Sequence, residues 1–92
     1  MRILKAHEAE LRGRGVVRLA LFGSLARGAA GPRSDVDVVV EIEPGRKFSL
    51  IDLASLRVFL RDVLHRETDV VIHDDLRPAF REEVEREAIR VL

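Results

Sequence analysis

The sequence of 92 residues contains no cysteine, tryptophan or tyrosine, and only four phenylalanines. The absence of cysteine excludes disulfide bonds, thiolate metal sites and a cysteine nucleophile. A nucleic-acid-binding protein usually carries an excess of basic residues and several aromatic rings. Since the net charge is zero and aromatic residues are few, we expect no direct nucleic-acid partner. Apolar runs such as 19–22 are far shorter than the roughly 20 residues of a membrane-spanning helix, so we expect no membrane association.

The remaining composition is typical of a small folded protein. Hydrophobic residues make up 47% and charged residues 35%, which argues against disorder and predicts one domain over residues 1–92. No apolar stretch of a signal peptide follows the first methionine, so we expect a cytoplasmic protein. Residues 1–33 hold seven basic and two acidic side chains, which leaves residues 34–92 with a net charge of −5. The basic first third could therefore face a phosphate-bearing molecule or an acidic partner.

Hydrophobic periodicity and turn residues predict four helices that alternate with three strands. Ser49 and Asp52 have the spacing of a capping box at the start of the longest helix. The order α-β-α-β-α-β-α indicates an α/β (α+β) fold with a small sheet flanked by helices. The predicted elements are a helix over 2–12, a strand over 16–22, a short helix over 25–30, a strand over 35–42, a helix over 49–65, a strand over 68–72 and a helix from 78 to about 91.

Acidic side chains occur at the start of two predicted strands. Asp35 and Asp37 are two residues apart, so strand alternation places both carboxylates on one face. Two neighbouring carboxylates repel each other and are costly to bury, so they are kept either in water or around a divalent cation. Oxygen ligands suit Mg²⁺ or Mn²⁺. Asp69 would complete a triad if the third strand lies beside the second.

The segment Phe22-Gly23-Ser24 has the features of a phosphate-binding turn. A strand ends, a glycine turns the chain, and Ser24 is a plausible cap of the next helix. Free N–H groups at a helix start attract phosphate, and glycine lets a phosphate approach closely. Arg27 adds a cation one turn further on. Taken alone, Gly23-Ser24 is more often a simple turn with a helix cap.

The combination of Gly23-Ser24 with Asp35-Val36-Asp37, separated by ten residues, is more specific than either motif. At this spacing the chain resembles the nucleotidyltransferase superfamily that shares the DNA polymerase β-like catalytic core. It is most similar to the short minimal nucleotidyltransferases (MNT family), and the similarity extends over most of the chain from Val16. The resemblance implies a small mixed β-sheet flanked by helices.

The resemblance also implies roles for single residues. Gly23 and Ser24 would hold the triphosphate, and Arg27 could clamp a phosphate or pair with a carboxylate. Asp35 and Asp37 would bind two Mg²⁺ ions, with Mn²⁺ as a possible substitute, and Asp69 would help one ion to activate the attacking hydroxyl. Two metal ions about 4 Å apart can stabilise both the entering oxygen and the departing pyrophosphate.

Three functions are consistent with these residues. Minimal nucleotidyltransferases of this kind are often antitoxins, and the resemblance implies transfer of AMP from ATP to a tyrosine of a partner HEPN-domain toxin in a hetero-oligomer. The first alternative is an adenylyltransferase for a small molecule such as an aminoglycoside, although larger relatives use an additional domain for that acceptor. The second is a non-catalytic antitoxin that neutralises its partner by binding alone.

The predicted helix over 49–65 is more apolar than one buried face requires. Ten of its residues are apolar, which exceeds a single stripe along the helix. Either this helix is covered on two sides, by the sheet and the terminal helices, or part of it contacts a partner or a second copy.

Overall fold

The structure is a computed structural model that describes residues 2–23 and 35–92. The described part contains four α-helices, four strands and one turn of 3₁₀-helix. The helices are α1 (Arg2–Ala6), α2 (Glu8–Gly13), α3 (Leu50–Leu64) and α4 (Pro78–Glu87), the 3₁₀ turn is His73–Asp75, and the strands are β1 (Val16–Phe22), β2 (Val36–Ile42), β3 (Thr68–Ile72) and β4 (Ile89–Arg90). The helix predicted over 25–30 lies outside the described residues.

The four strands form one mixed sheet in the order β3-β2-β1-β4. β1 is antiparallel to both β2 and β4, whereas β2 and β3 are parallel. The parallel pair requires a crossover, and α3 supplies it. The predicted small mixed sheet flanked by helices is therefore confirmed.

The hydrophobic core lies between one face of the sheet and helices α1, α2 and α3. Because side chains alternate along a strand, Val36, Val38 and Val40 of β2 point into this core and are fully buried. Leu56 and Leu60 of α3 cover them and are also fully buried. Burial of a leucine or valine side chain stabilises the fold by about 1.5–3 kcal/mol. The valines that alternate with Asp35 and Asp37 thus hold β2 against α3.

The opposite face of the sheet carries α4. Phe22 at the end of β1 makes an edge-to-face contact with Phe80 of α4, with the ring centroids 6.3 Å apart. Val84 of α4 is buried, as is Val39 of β2. This face, which we call the α4 face, also presents the side chain of Asp37, because Asp37 alternates with the core residues Val36 and Val38.

Two of the predicted helices differ from those in the structure. The helix over 2–12 is divided at His7, whose backbone N–H bonds to Leu4 O while Nδ1 lies 2.8 Å from Ile3 O. The side chain thus takes the carbonyl that a continuous helix would use. The last helix ends at Glu87 instead of about 91, because Ile89 and Arg90 pair with the free edge of β1.

The capping box at the start of α3 is confirmed. Ser49 Oγ accepts a hydrogen bond from Asp52 N, and the Asp52 carboxylate accepts one from Ser49 N at 2.8 Å. The bonds that Ser49 N and Ser49 Oγ donate to the Asp52 carboxylate lower its pKa, and the nearby charge of Arg46 acts in the same direction. No helix among the described residues is long and apolar enough to cross a membrane.

The apolar surplus of α3 is covered only in part. Leu56, Leu60 and Leu64 are buried. Phe59 packs against Arg14, the residue that follows α2, and the Arg14 guanidinium lies 4.7 Å from the ring centroid. The helix is therefore covered on one side by the sheet and on a second side by the N-terminal helices, which agrees with the first of the two interpretations of its apolar composition. Its first turn is not, since Leu50 and Ile51 are 84% and 81% exposed.

Candidate active site

Two aspartates face each other across neighbouring strands. In the parallel register of β2 and β3, Asp37 lies directly opposite Asp69. Both side chains lie on the α4 face, because the residues flanking them point into the core. The predicted condition for an acidic cluster, that the third strand lies beside the second, is therefore fulfilled.

The turn after β1 lies against the first of these carboxylates. Phe22, the last residue of β1, is the register partner of Asp37. Gly23 follows with φ +72°, and a Cβ atom at this position would lie only 2.6 Å from Asp37 Oδ2. A glycine is needed here both for the left-handed backbone and for the space taken by the carboxylate. The predicted phosphate turn and the predicted acidic pair thus meet at Gly23.

The electrostatics of Asp37 agree with this clustering. Its pKa is raised first by partial burial and then by the negative charges of Asp69 and Asp35. Asp37 also has no hydrogen bond or ion pair within the described residues. Asp35 is exposed and directly precedes β2, which begins at Val36, one residue later than predicted. Asp37 therefore interacts with both of the other predicted acids.

Asp69 has a cationic neighbour from α3. Arg57 Nη2 lies 3.6 Å from Asp69 Oδ1, and both side chains are more than half exposed. The carboxylates open into a groove of about 750 Å³ that is lined by residues of the sheet, α3 and α4. We call it the carboxylate groove, and its walls include Phe22, Asp37, Leu50, Leu53, Arg57, Val58, Asp69 and Phe80.

The acidic residues do not form a complete metal cage. Within residues 2–23 and 35–92, no group of three or more histidine, aspartate or glutamate side chains is arranged to hold a metal ion. The oxygen-only donors Asp35, Asp37 and Asp69 nevertheless fit Mg²⁺, which is usually bound by one or two carboxylates together with substrate phosphates. Two predicted nucleotide-binding residues, Ser24 and Arg27, lie outside the described residues.

Two residues of the groove, Arg57 and Phe80, were not among the predicted site residues. In the sequence, Arg57 is a charged residue in a mostly apolar helix, with no sign of a partner. The packing of α3 beside β3 shows that it reaches Asp69. Phe80 was not singled out in the sequence, because its contact with Phe22 depends on how α4 packs on the sheet. The four-residue spacing of Arg57 and Arg61 indicates a polar face on this helix. No pattern in the sequence indicates that Asp69 lies beside that face.

The chain matches known proteins over nearly its whole length. A family model described as "Nucleotidyltransferase domain" matches residues 2–91. The protein adenylyltransferase MntA of Thermococcus cleftensis is 38% identical over 90 residues, which cover 97% of this chain and 89% of that protein.

Solved structures share the fold. A structure assigned to a minimal nucleotidyltransferase superposes with a TM-score of 0.80 at 40% identity, covering 95% of this chain and 87% of that one. A tri-AMPylated HEPN toxin of Shewanella oneidensis in complex with its MNT antitoxin matches with a TM-score of 0.67 at 19% identity, covering 98% of this chain and 71% of that one. At that identity the second likeness shows the fold alone. The family match and the identity to the Thermococcus protein together show that this chain belongs to the nucleotidyltransferase domain family.

Proposed function

We propose that this chain transfers AMP from ATP to a tyrosine hydroxyl of a partner HEPN-type toxin and thereby acts as an antitoxin. The observation that carries the proposal is the register pair of Asp37 and Asp69, which lies against the Gly23 turn in an open groove. The similarity to the adenylyltransferase of Thermococcus cleftensis supports AMP transfer to a protein. The Shewanella complex supports a HEPN partner, since its toxin carries AMP groups.

The reaction is an in-line displacement at the α-phosphorus of ATP. A bond forms between the acceptor hydroxyl oxygen and this phosphorus, and the bond to the bridging oxygen of the β-phosphate breaks, so pyrophosphate leaves. The hydroxyl proton passes to a carboxylate, and Asp69 is suited to accept it because its side chain is exposed at the edge of the groove. The enzyme mainly orients the reactants and neutralises their charge.

The chain's own residues divide these tasks by position. The Gly23 turn would hold the triphosphate, with Ser24 and Arg27 beyond it. Asp37, against that turn, would face the α-phosphate. Asp35, Asp37 and Asp69 would hold two Mg²⁺ ions, or Mn²⁺, with ATP oxygens as further ligands, and bound ions would stabilise the charge on the entering and leaving oxygens.

The proposal is tested by mixing the protein with ATP, Mg²⁺ and its HEPN partner and weighing both proteins by mass spectrometry. A gain of one or more AMP units on the partner, mapped to tyrosine, is expected. An Asp35→Asn/Asp37→Asn variant, with its circular dichroism spectrum unchanged, should transfer none. Tight binding without a change in mass would favour a non-catalytic antitoxin, and labelled AMP on an aminoglycoside but not on the partner would favour a small-molecule enzyme.

A further inference from the structure

The side chain of Arg57 crosses the free edge of β3. β3 is an outer strand, with β2 on its inner side. Glu67 O accepts a hydrogen bond from Val36 N of β2, and successive carbonyls of a strand point to opposite sides, so Thr68 O points away from β2. Arg57 Nε donates to this outward carbonyl at 3.1 Å. The guanidinium is therefore anchored on the backbone next to Asp69.

The same guanidinium also reaches the carboxylate. Arg57 Nη2 lies 3.6 Å from Asp69 Oδ1, which is the one ion pair of Asp69 within the described residues. Arg57 approaches from the outer edge of β3, whereas Asp37 lies on the inner side, on β2. Asp69 is thus held between a cation on one side and a like charge on the other.

This arrangement does not have the features of a stabilising ion pair. Both side chains are more than half exposed, and exposed ion pairs add little to stability. An exposed aspartate without a fixed partner rotates among its staggered conformers. The guanidinium of Arg57 restricts that rotation. Because the group is planar and rigid, fixing Nε on the backbone also fixes the direction in which Nη2 points toward Asp69.

From this geometry we infer that Arg57 is a positioning residue, which holds the Asp69 carboxylate in the orientation needed for nucleotidyl transfer. The inference rests on the proposed function. The attraction of Arg57 for Asp69 offsets the repulsion between Asp69 and Asp37. It draws the two carboxylates apart, which leaves space between them for the reacting groups. Arg57 acts through Asp69 and does not itself contact the reacting atoms.

The chain offers a matched control on the same helix. Arg61 lies one turn further along α3 and has the same charge and a similar exposure. Its Nε lies 3.7 Å from an Asp62 carboxylate oxygen, on the next residue of the helix. Arg61 also lines the carboxylate groove, but within the described residues no hydrogen bond or ion pair joins it to β3. Arg57→Ala and Arg61→Ala therefore remove the same charge from α3, but only the first removes the contact with Asp69.

The first measurement is steady-state AMP transfer to the HEPN partner, with ATP varied. A positioning role predicts that Arg57→Ala lowers kcat about tenfold while KM for ATP stays within about twofold. Arg57→Lys should be intermediate, because a single ammonium cannot contact both Thr68 O and Asp69. Arg61→Ala should keep kcat near the wild-type value, because Arg61 makes no ion pair with Asp69. In an Asp69→Asn background, Arg57→Ala should cause no further loss.

The second measurement does not depend on activity. NMR couplings between Hα and the two Hβ atoms of Asp69, measured in the protein without nucleotide, report whether χ1 is fixed. We expect one conformer in the wild type and in Arg61→Ala, and averaging in Arg57→Ala. Averaging already in the wild type, or a higher KM for ATP with unchanged kcat, would overturn the inference. An inactive wild type with a fixed Asp69 would refute the proposed function but not the fixation of Asp69 by Arg57.

Discussion

The Asp37 carboxylate lies so close to Gly23 that no side chain fits at position 23 without displacing it. A Cβ atom on Gly23 would lie 2.6 Å from Asp37 Oδ2, and the backbone at Gly23 has φ +72°. This contact couples the turn after β1 to the carboxylate on β2. The absence of a side chain at Gly23 therefore leaves the space that the Asp37 carboxylate occupies.

Gly23→Ala is expected to impair both stability and transfer. The left-handed backbone costs about 1 kcal/mol with alanine, and the contact with Asp37 adds a similar or larger cost. Gly45→Ala is the control, because Gly45 has φ +81° with no atom within 4 Å of the added Cβ. Urea unfolding of both variants isolates the cost of the contact. Equal losses of unfolding free energy would show that Asp37 moves aside freely.

Asp37→Asn is expected to abolish transfer without destabilising the protein. The pKa of Asp37 is raised by burial and by its acidic neighbours, so the native state holds this proton more tightly than the unfolded state. The ionised carboxylate therefore costs stability above the folded pKa, and this cost disappears as the pH falls through it. Thermal unfolding at pH 7 should show that Asp37→Asn is at least as stable as the wild type. A clearly lower Tm would mean that the carboxylate has a structural partner.

The sequence was sufficient to predict the three strands of the site and the two motifs that meet there. Strand alternation predicted that Asp37 projects from one face of its strand, and the capping-box spacing of Ser49 and Asp52 predicted the start of α3. β4 was not predictable, because Ile89 and Arg90 have no strand pattern of their own and pair only because β1 has a free edge. The reach of Arg57 to Asp69 likewise depends on how α3 packs, which no local spacing encodes.

His73 is expected to make stability depend on pH. Its Nε2 lies 2.8 Å from Glu85 Oε1, and this contact, aided by Asp74 and by the charge of Glu41, raises the pKa of the imidazole against the opposing effect of burial. The protonated form is thus favoured in the native state. Its contribution is fully present below the ordinary pKa of 6.5 and is lost as the pH rises through the higher native value.

The pH dependence of Tm between pH 5 and about 8 measures this contribution of His73. Glu85→Gln should flatten it, because a neutral amide removes the largest cause of the raised pKa. Glu83→Gln on the same helix is the control, since Glu83 has no described contact with His73. If Glu83→Gln flattened the profile as much as Glu85→Gln, the effect would come from the net charge and not from the contact.

Leu50 and Ile51 are expected to contribute almost nothing to the stability of the isolated chain. Both are more than 80% exposed in the first turn of α3, whereas Leu56 on the same helix is fully buried. Replacing both exposed residues with glutamine should change the free energy of unfolding by no more than about 0.5 kcal/mol. Leu56→Ala should cost about 3 kcal/mol through the cavity it leaves. Urea unfolding of the two variants makes the comparison, and a loss in the glutamine variant that approaches that of Leu56→Ala would mean that the first turn of α3 is covered in solution.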